Sequence, residues 1–332
     1  MKYKEINQIV TEAANIIVLQ ADNPDGDSLG SALALEAILD DMGKTVTLVC
    51  NVDMPTYLKH LPGWDRVVKD IPQRFDATIV VDTSTESLFE NKKVGFSWIK
   101  TKPVIVLDHH MESSGLSFAT VSVIEPVVAT SELIHNVAID LKWPLPIDAC
   151  NMMVMSIMSD SLGLTTSNTT ADSFRVVGDL VERGVNIAEL DAARRKLMKK
   201  DPVLIPYKGE LLKRAEFAVG GRLATVVIPW REIEKYSPLY NPTMLVIDDL
   251  RMTSGVEIVV GYKVYADGKI TAKIRCNYGS GIAHELAEQF GGGGHPYASG
   301  FKILDGSTLE DIKKRVEIVT SELLEDKIEK VR

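Results

Sequence analysis

Cysteine is scarce in this chain of 332 residues: Cys50, Cys150 and Cys276 stand far apart and form no CxxC pair. That excludes a disulfide framework and a cysteine zinc site, and it suits a reducing compartment. Uninterrupted apolar runs long enough to span a bilayer are missing, so no membrane partner is expected. The opening residues Met1-Lys2-Tyr3-Lys4-Glu5 lead into an amphipathic stretch and not into a signal peptide, which makes the cytoplasm the expected location. Positive charge is in deficit as well. Lys and Arg total 37 against 46 Asp and Glu, a formal net charge of −9. No basic face or domain stands out of the kind that coats long duplex DNA. The balance suits a small anionic ligand held in a local pocket. A cluster of carboxylates that needs divalent cations pulls the net charge the same way.

What is present is ordinary globular composition, 45% hydrophobic and 25% charged. The length predicts two domains, with enough chain to bury a core without metal or disulfide staples. In the first half, β-branched runs alternate with helical patterns. Residues 15–20 (NIIVLQ), 45–50, 77–81 (ATIVV) and 103–107 (PVIVL) are continuous apolar strands, the mark of a parallel sheet covered on both faces. Residues 28–42 give a helical period closed by Gly43, with Ser28 as a plausible N-cap; 149–158 and 171–183 give two more. The second half changes character. Two hairpins are predicted, 216–219 with 223–228 and 257–265 with 270–276, the latter turning on Asp267-Gly268. A helix at 282–290 precedes a glycine run. The expected fold class is α/β: an N-terminal doubly wound parallel sheet with helices on both faces, plus a smaller C-terminal α+β domain with a mixed sheet. The expected boundaries are 1–188, a linker at 189–206, and 207–332. No internal repeat or low-complexity tract is visible.

Chemistry gathers at the strand ends. The first strand runs into Asp22-Asn23-Pro24-Asp25-Gly26-Asp27-Ser28, the third into Asp82-Thr83-Ser84, the fourth into Asp108-His109-His110, and a later helix ends at Asp160. Ligands of an open parallel sheet bind at the carboxyl ends of its strands. Pro24 stiffens the turn, and Gly26 permits an unusual backbone angle. Any one of these segments is also a plain turn or cap. Four in one crevice are hard to explain so, because repelling carboxylates in one place need cations between them. Oxygen donors mixed with imidazole suit manganese, magnesium or iron.

PDGD, a strand-end Asp, DHH and a later lone Asp resemble the four motifs of the DHH phosphoesterase superfamily. The run Gly291-Gly292-Gly293-Gly294-His295-Pro296-Tyr297-Ala298-Ser299-Gly300 resembles the signature of its DHH-associated C-terminal domain. The nearest subgroup is the nanoRNase and pAp-phosphatase-like enzymes. The resemblance implies two Mn2+ ions, with Mg2+ as the alternative. Asp25 would bind the first, Asp27, His109 and Asp160 the second, and Asp82 would bridge them. Two such ions lie about 3.5–4 Å apart and share a water and the phosphoryl oxygens. His110 would face the substrate phosphate, while Asp108 supports the imidazoles. One departure stands out. The first motif of the family begins with a histidine three residues before the proline, and here that position is Ala21. Water fills the vacancy, the first metal binds weakly, or the site works with one metal.

In the second domain, Gly292, Gly293 and Gly294 can bring backbone N–H groups close to an anion, with His295 at their end. Strand alternation puts Thr271, Lys273 and Arg275 on one face. Arg275 matches the substrate-binding arginine of the family, so Arg275 and His295 would hold a terminal phosphate. A cleft between the domains would then act as a ruler for short substrates. His60, His135 and His284 have no partner pattern and read as structural, as do Met152, Met153, Met155 and Met158; residues 310–332 read as a solvated helix face. The function expected is hydrolysis of short phosphodiesters, either oligoribonucleotides of a few residues or linear or cyclic dinucleotides. The alternatives are a pAp 3′-phosphatase and, because of Ala21, a catalytically weakened nucleotide-binding protein. A long-strand exonuclease lacks its basic stripe, and a pyrophosphate or polyphosphate hydrolase would want more Lys and Arg beside the metals. A homodimer is expected from the resemblance alone.

Overall fold

The structure is a computed structural model; it describes residues 3–86, 88–89, 97–111 and 115–331, with side chains through Lys327. Met1, Lys2 and Arg332, which the reading of the two termini included, lie outside it. The chain forms two compact units, Met1–Lys199 and Lys200–Arg332.

The first unit is built on five parallel strands: β1 (Asn15–Leu19), β2 (Thr45–Val49), β3 (Ala77–Val81), β4 (Val104–Asp108) and β5 (Val121–Ile124), in the order β2-β1-β3-β4-β5. β3 and β4 are buried at every position. Successive residues enter two different cores, which is why their sequences are continuously apolar. Ile79, Val81, Ile105 and Leu107 join the core that includes helices α1 (Lys4–Glu12), α2 (Gly26–Asp41), α3 (Thr130–Leu141) and α4 (Ile147–Asp160). Val80, Val104 and Val106 join Phe75, Phe89, Ile99 and Leu116 on the other face. The strand order reverses between β1 and β3, and connections leaving those neighbours in opposite directions open a crevice at their carboxyl ends. Asp25 and Asp82 follow those two strands. Helices α5 (Ala171–Glu182) and α6 (Ile187–Leu197) complete the unit.

Two elements of this unit were not legible. β5 is short and only half-buried, and α3 opens on Ala129, which offers no capping side chain. The start of α2 also differs from expectation. Its N-cap is Asp25 and not Ser28: the Asp25 carboxylate accepts from the backbone of Asp27 and Ser28 while the Ser28 hydroxyl caps in return. Residues 189–206, expected as a linker, hold most of α6 and the start of α7 (Leu204–Lys213).

The second unit carries a mixed sheet of β6 (Glu216–Ala218), β7 (Leu223–Pro229), β8 (Ile258–Val264), β9 (Ile270–Cys276), β10 (Gly293–His295) and β11 (Ala298–Ile303), in the order β10-β11-β9-β8-β7-β6. Both predicted hairpins form, and β7 and β8 are the parallel pair. One face packs on α10 (Ala283–Glu288) and α11 (Leu309–Val331). The other packs, at its β7–β8 end, on α7, α8 (Trp230–Tyr236) and α9 (Pro242–Arg251). The C-terminal helix buries Ile312, Val316 and Leu324, so it is amphipathic and not wholly solvated. Among the described residues, no helix is long and apolar enough to cross a membrane.

Candidate metal centre and anion cradle

The first unit brings Asp25, Asp27, Asp82, Asp108, His109, His110 and Asp160 together. At the centre lies His109. Its Nδ1 faces the Val127 carbonyl at 3.2 Å, which puts the ring proton there and leaves Nε2 with a free lone pair. That Nε2 is buried and has no hydrogen-bond partner among the described residues. Around it stand Asp82 Oδ1 at 3.4 Å, Asp27 Oδ2 at 3.5 Å and Asp160 Oδ2 at 3.8 Å. A buried lone pair facing three carboxylates is costly in a dry protein and is what a divalent cation requires. The donor set therefore fits a metal ion.

Each ligand is held from a distance in sequence. Asp27, almost fully buried, accepts from the Ser31 hydroxyl at 3.0 Å and the Ser156 hydroxyl at 2.5 Å, and from the Thr130 backbone at 2.7 Å. Helix α3, uncapped by its own Ala129, is thus capped by a carboxylate of α2. The Asp27 charge sits at the positive end of that helix. These serines and Thr130 were missed because nothing local in the sequence ties them to position 27.

Asp160 reaches the site because α4 packs closely on α2. A Cβ on Gly26 would run into the Ser159 side chain, and one on Gly30 would lie 2.7 Å from Ser156 Cβ. The backbone of Gly26 is not left-handed, so its requirement is close approach and not an unusual angle. Gly30→Ala is expected to cost about 1–3 kcal/mol by overpacking. Thermal unfolding checks it, and an unchanged Tm would show that the helices yield freely.

Asp82 occupies a left-handed backbone, φ 59°, at the end of β3. Burial, then the neighbouring Asp27 and Asp25, push its carboxyl well above the usual range. Burial and Asp27 push Asp160 up to about 6, and burial raises Asp25. Asp108 behaves differently. Burial raises its carboxyl, but hydrogen bonds from His110, at 2.8 Å, and from Ser84, at 2.5 Å, more than offset it. The bond from His110 to Asp108 in turn raises the imidazole. Asp108 also accepts from the backbone of His109 and His110, so it fixes the turn that presents both rings.

A cavity of about 260 Å³ adjoins these groups, lined by Ala21, Asn23, Asp25, Asp82, Asp108 and His110 among others. Asp22 turns aside and accepts from Asn51 at 2.8 Å. Ala21 and Asp25 line the same cavity.

In the second unit, Ala298 pairs with Arg275 on one side and with His295 on the other. Directly paired residues share a sheet face, so His295, Ala298 and Arg275 form one row. Lys273 follows on the same face of β9, and the alternation foreseen for this strand holds. Burial and Arg251 lower the Arg275 guanidinium, burial and Arg275 lower Lys273, and burial and Lys273 lower Lys263. Positive charge is crowded here, as negative charge is in the first unit. Within the glycine run, Gly294 (φ 140°) has no room for a Cβ, which would lie 2.8 Å from the Ala298 carbonyl; Gly292 meets Gly300 and Phe301. Gly293 faces open space. Of the other histidines, His135 donates to Asp179 at 2.8 Å and His284 pairs with Glu288. Met152 and Met153 are buried, whereas Met155 and Met158 line a second cavity together with His60.

The DHH family N-terminal domain matches residues 15–158, and the DHHA1 domain matches residues 242–322. The chain carries a DHH domain followed by a DHHA1 domain. A relative, the bifunctional oligoribonuclease and PAP phosphatase NrnA of Thermus thermophilus, is 29% identical over 312 residues, covering 91% of this chain and 88% of its own. The crystal structure of an exopolyphosphatase-related protein from Bacteroides fragilis superposes with a TM-score of 0.82 over 96% of each chain, at 18% identity. RecJ of Thermus thermophilus, crystallised with Mn2+, shares the fold with a TM-score of 0.51 at 15% identity, over 96% of this chain and 54% of that one.

Proposed function

We propose that this chain hydrolyses short phosphodiesters, namely oligoribonucleotides of a few residues or linear and cyclic dinucleotides. The observation that carries the reading is the buried His109 Nε2, unpartnered and ringed by Asp27, Asp82 and Asp160. Asp27, His109 and Asp160 would hold one divalent ion, Asp25 would hold another, and Asp82 would serve both. Manganese is the proposed ion: the RecJ neighbour is crystallised with Mn2+, and carboxylates with one imidazole suit it. When bound, the ions supply an activated water and neutralise charge on the phosphoryl oxygens.

The remaining steps belong to the protein. Water adds to phosphorus, one P–O ester bond breaks, and the leaving oxygen takes a proton. His110, exposed at its edge and hydrogen-bonded through Nδ1 to Asp108, presents its other nitrogen to the phosphate. Arg275 and His295, with Lys273 behind them, would grip a terminal phosphate. Arg275→Ala is expected to raise KM about 10–100-fold, the loss of one or two charge-assisted hydrogen bonds. Steady-state kinetics read it, and an unchanged KM would remove the arginine from the site.

A 3′-phosphatase activity on pAp is the second reading, favoured because the Thermus thermophilus relative is named for both activities. The deciding experiment incubates the protein with manganese and, separately, pApA, cyclic di-AMP, pAp and pyrophosphate, with products followed by chromatography. Turnover of the dinucleotides is expected. Tight nucleotide binding with no turnover of any of them would make the protein a binder and overturn the enzymatic reading.

A further inference from the structure

A cavity of about 660 Å³ opens beside Asp25 and Gly26. Its wall is mostly apolar: Met155 and Met158 of α4, Leu162, and Ile187 and Leu190 of α6. Tyr57 stands at its rim, 63% exposed, held by its hydroxyl on the Pro24 carbonyl at 3.0 Å. Asp25, Tyr57, His60, Ser159, Asp191 and Arg194 bring the polar groups; Tyr57 is tied to Pro24, and Arg194 is forked onto Asp191 at 2.7 Å. No residue of α6 is fully buried, so the helix lies over the cavity without filling it.

We propose that this cavity receives a nucleobase: that of the second nucleoside on the scissile phosphate, the one a phosphodiester has and a phosphomonoester lacks. The inference rests on the phosphoesterase reading above. Four features favour this occupant. The cavity begins at Asp25, a proposed metal ligand, so a group attached to the scissile phosphate can enter it directly. Its volume lies in the range of small-molecule sites, which are apolar walls with a few convergent polar groups. Tyr57 offers an aromatic face at the mouth, and stacking on such a face tolerates every base. Methionines adapt to different shapes, and the scarcity of free hydrogen-bonding groups leaves little with which to read base identity. The pocket therefore confers a preference for dinucleotides over monoesters with weak base selectivity.

The test compares pApA with pAp, substrates that differ by that nucleoside. Leu190→Trp fills the cavity, and Tyr57→Ala removes an exposed face whose loss leaves the core intact. For both variants the ratio of kcat/KM for pApA to that for pAp is expected to fall about 10-fold, in line with about one base-stacking contact. The effect should be similar for pGpG and pUpU. An unchanged ratio in both variants overturns the pocket, and so does a marked base preference in the natural protein. Failure of the natural protein to hydrolyse either substrate would instead overturn the phosphoesterase reading.

Discussion

Asp82→Asn is expected to abolish turnover and to stabilise the metal-free protein at the same time. Asp82 Oδ1 lies 3.4 Å from the His109 lone pair and accepts from the Thr130 hydroxyl at 3.2 Å. In the proposed assignment Asp82 would serve both metal positions, so its loss would weaken both. A loss of several kcal/mol of charge stabilisation lowers kcat/KM by about 10³-fold or more. The stability effect has the opposite sign. Without cations, Asp82 is buried against Asp27 and Asp25, and ionising it there is costly. Asparagine keeps the acceptor for Thr130 and tolerates the left-handed backbone at φ 59°. Relief of about 1–2 kcal/mol of repulsion would raise the metal-free Tm by about 2–8 °C at pH 8. Calorimetry on chelator-treated protein, with the pApA assay alongside, reads both. Activity kept within tenfold, or a lower Tm, would refute the assignment.

The two metal positions should load unequally. Asp27, His109 and Asp160 bring donor atoms together as one group, and Asp82 forms a second with His109 and His110. Asp25 shares its cavity with Ala21, which offers no ligand atom, and one Asp25 oxygen is already engaged in capping α2. Calorimetric titration with Mn2+ is expected to give one tight ion per chain and a second bound at least about 10-fold more weakly. Ala21→His has room in the adjoining cavity and should tighten the second ion by at least about 10-fold. Loading of the tight position should weaken as pH falls below about 6, where Asp160 takes up a proton. Two ions of equal affinity in the natural chain would show that Ala21 leaves no vacancy.

These expectations draw unequally on sequence and structure. The strands were legible because burial on both faces makes their sequences continuously apolar, and the acids were legible because they recur where such strands stop. The N-cap of α2 was misplaced by three residues, since Asp25 and Ser28 are both good caps and only the reciprocal pair of hydrogen bonds distinguishes them. β5 and α3 escaped notice for want of a strong period or a local cap.

By itself the sequence determined the α/β class, the order of the acidic and histidine segments and the donor atoms, while the absence of an imidazole at position 21 is marked only by the resemblance to the family. The former are properties of residue type and spacing along the chain. Only the tertiary structure decided that α3 is capped by Asp27 from 103 residues away and that Ser156 holds the same carboxylate from 129 away. It also decided that Gly26 and Gly30 admit α4 closely enough to deliver Asp160, and that His109 is left with one lone pair and no partner. The reason is physical: convergence of a metal site depends on packing between distant helices, and packing leaves no periodicity in the sequence to read.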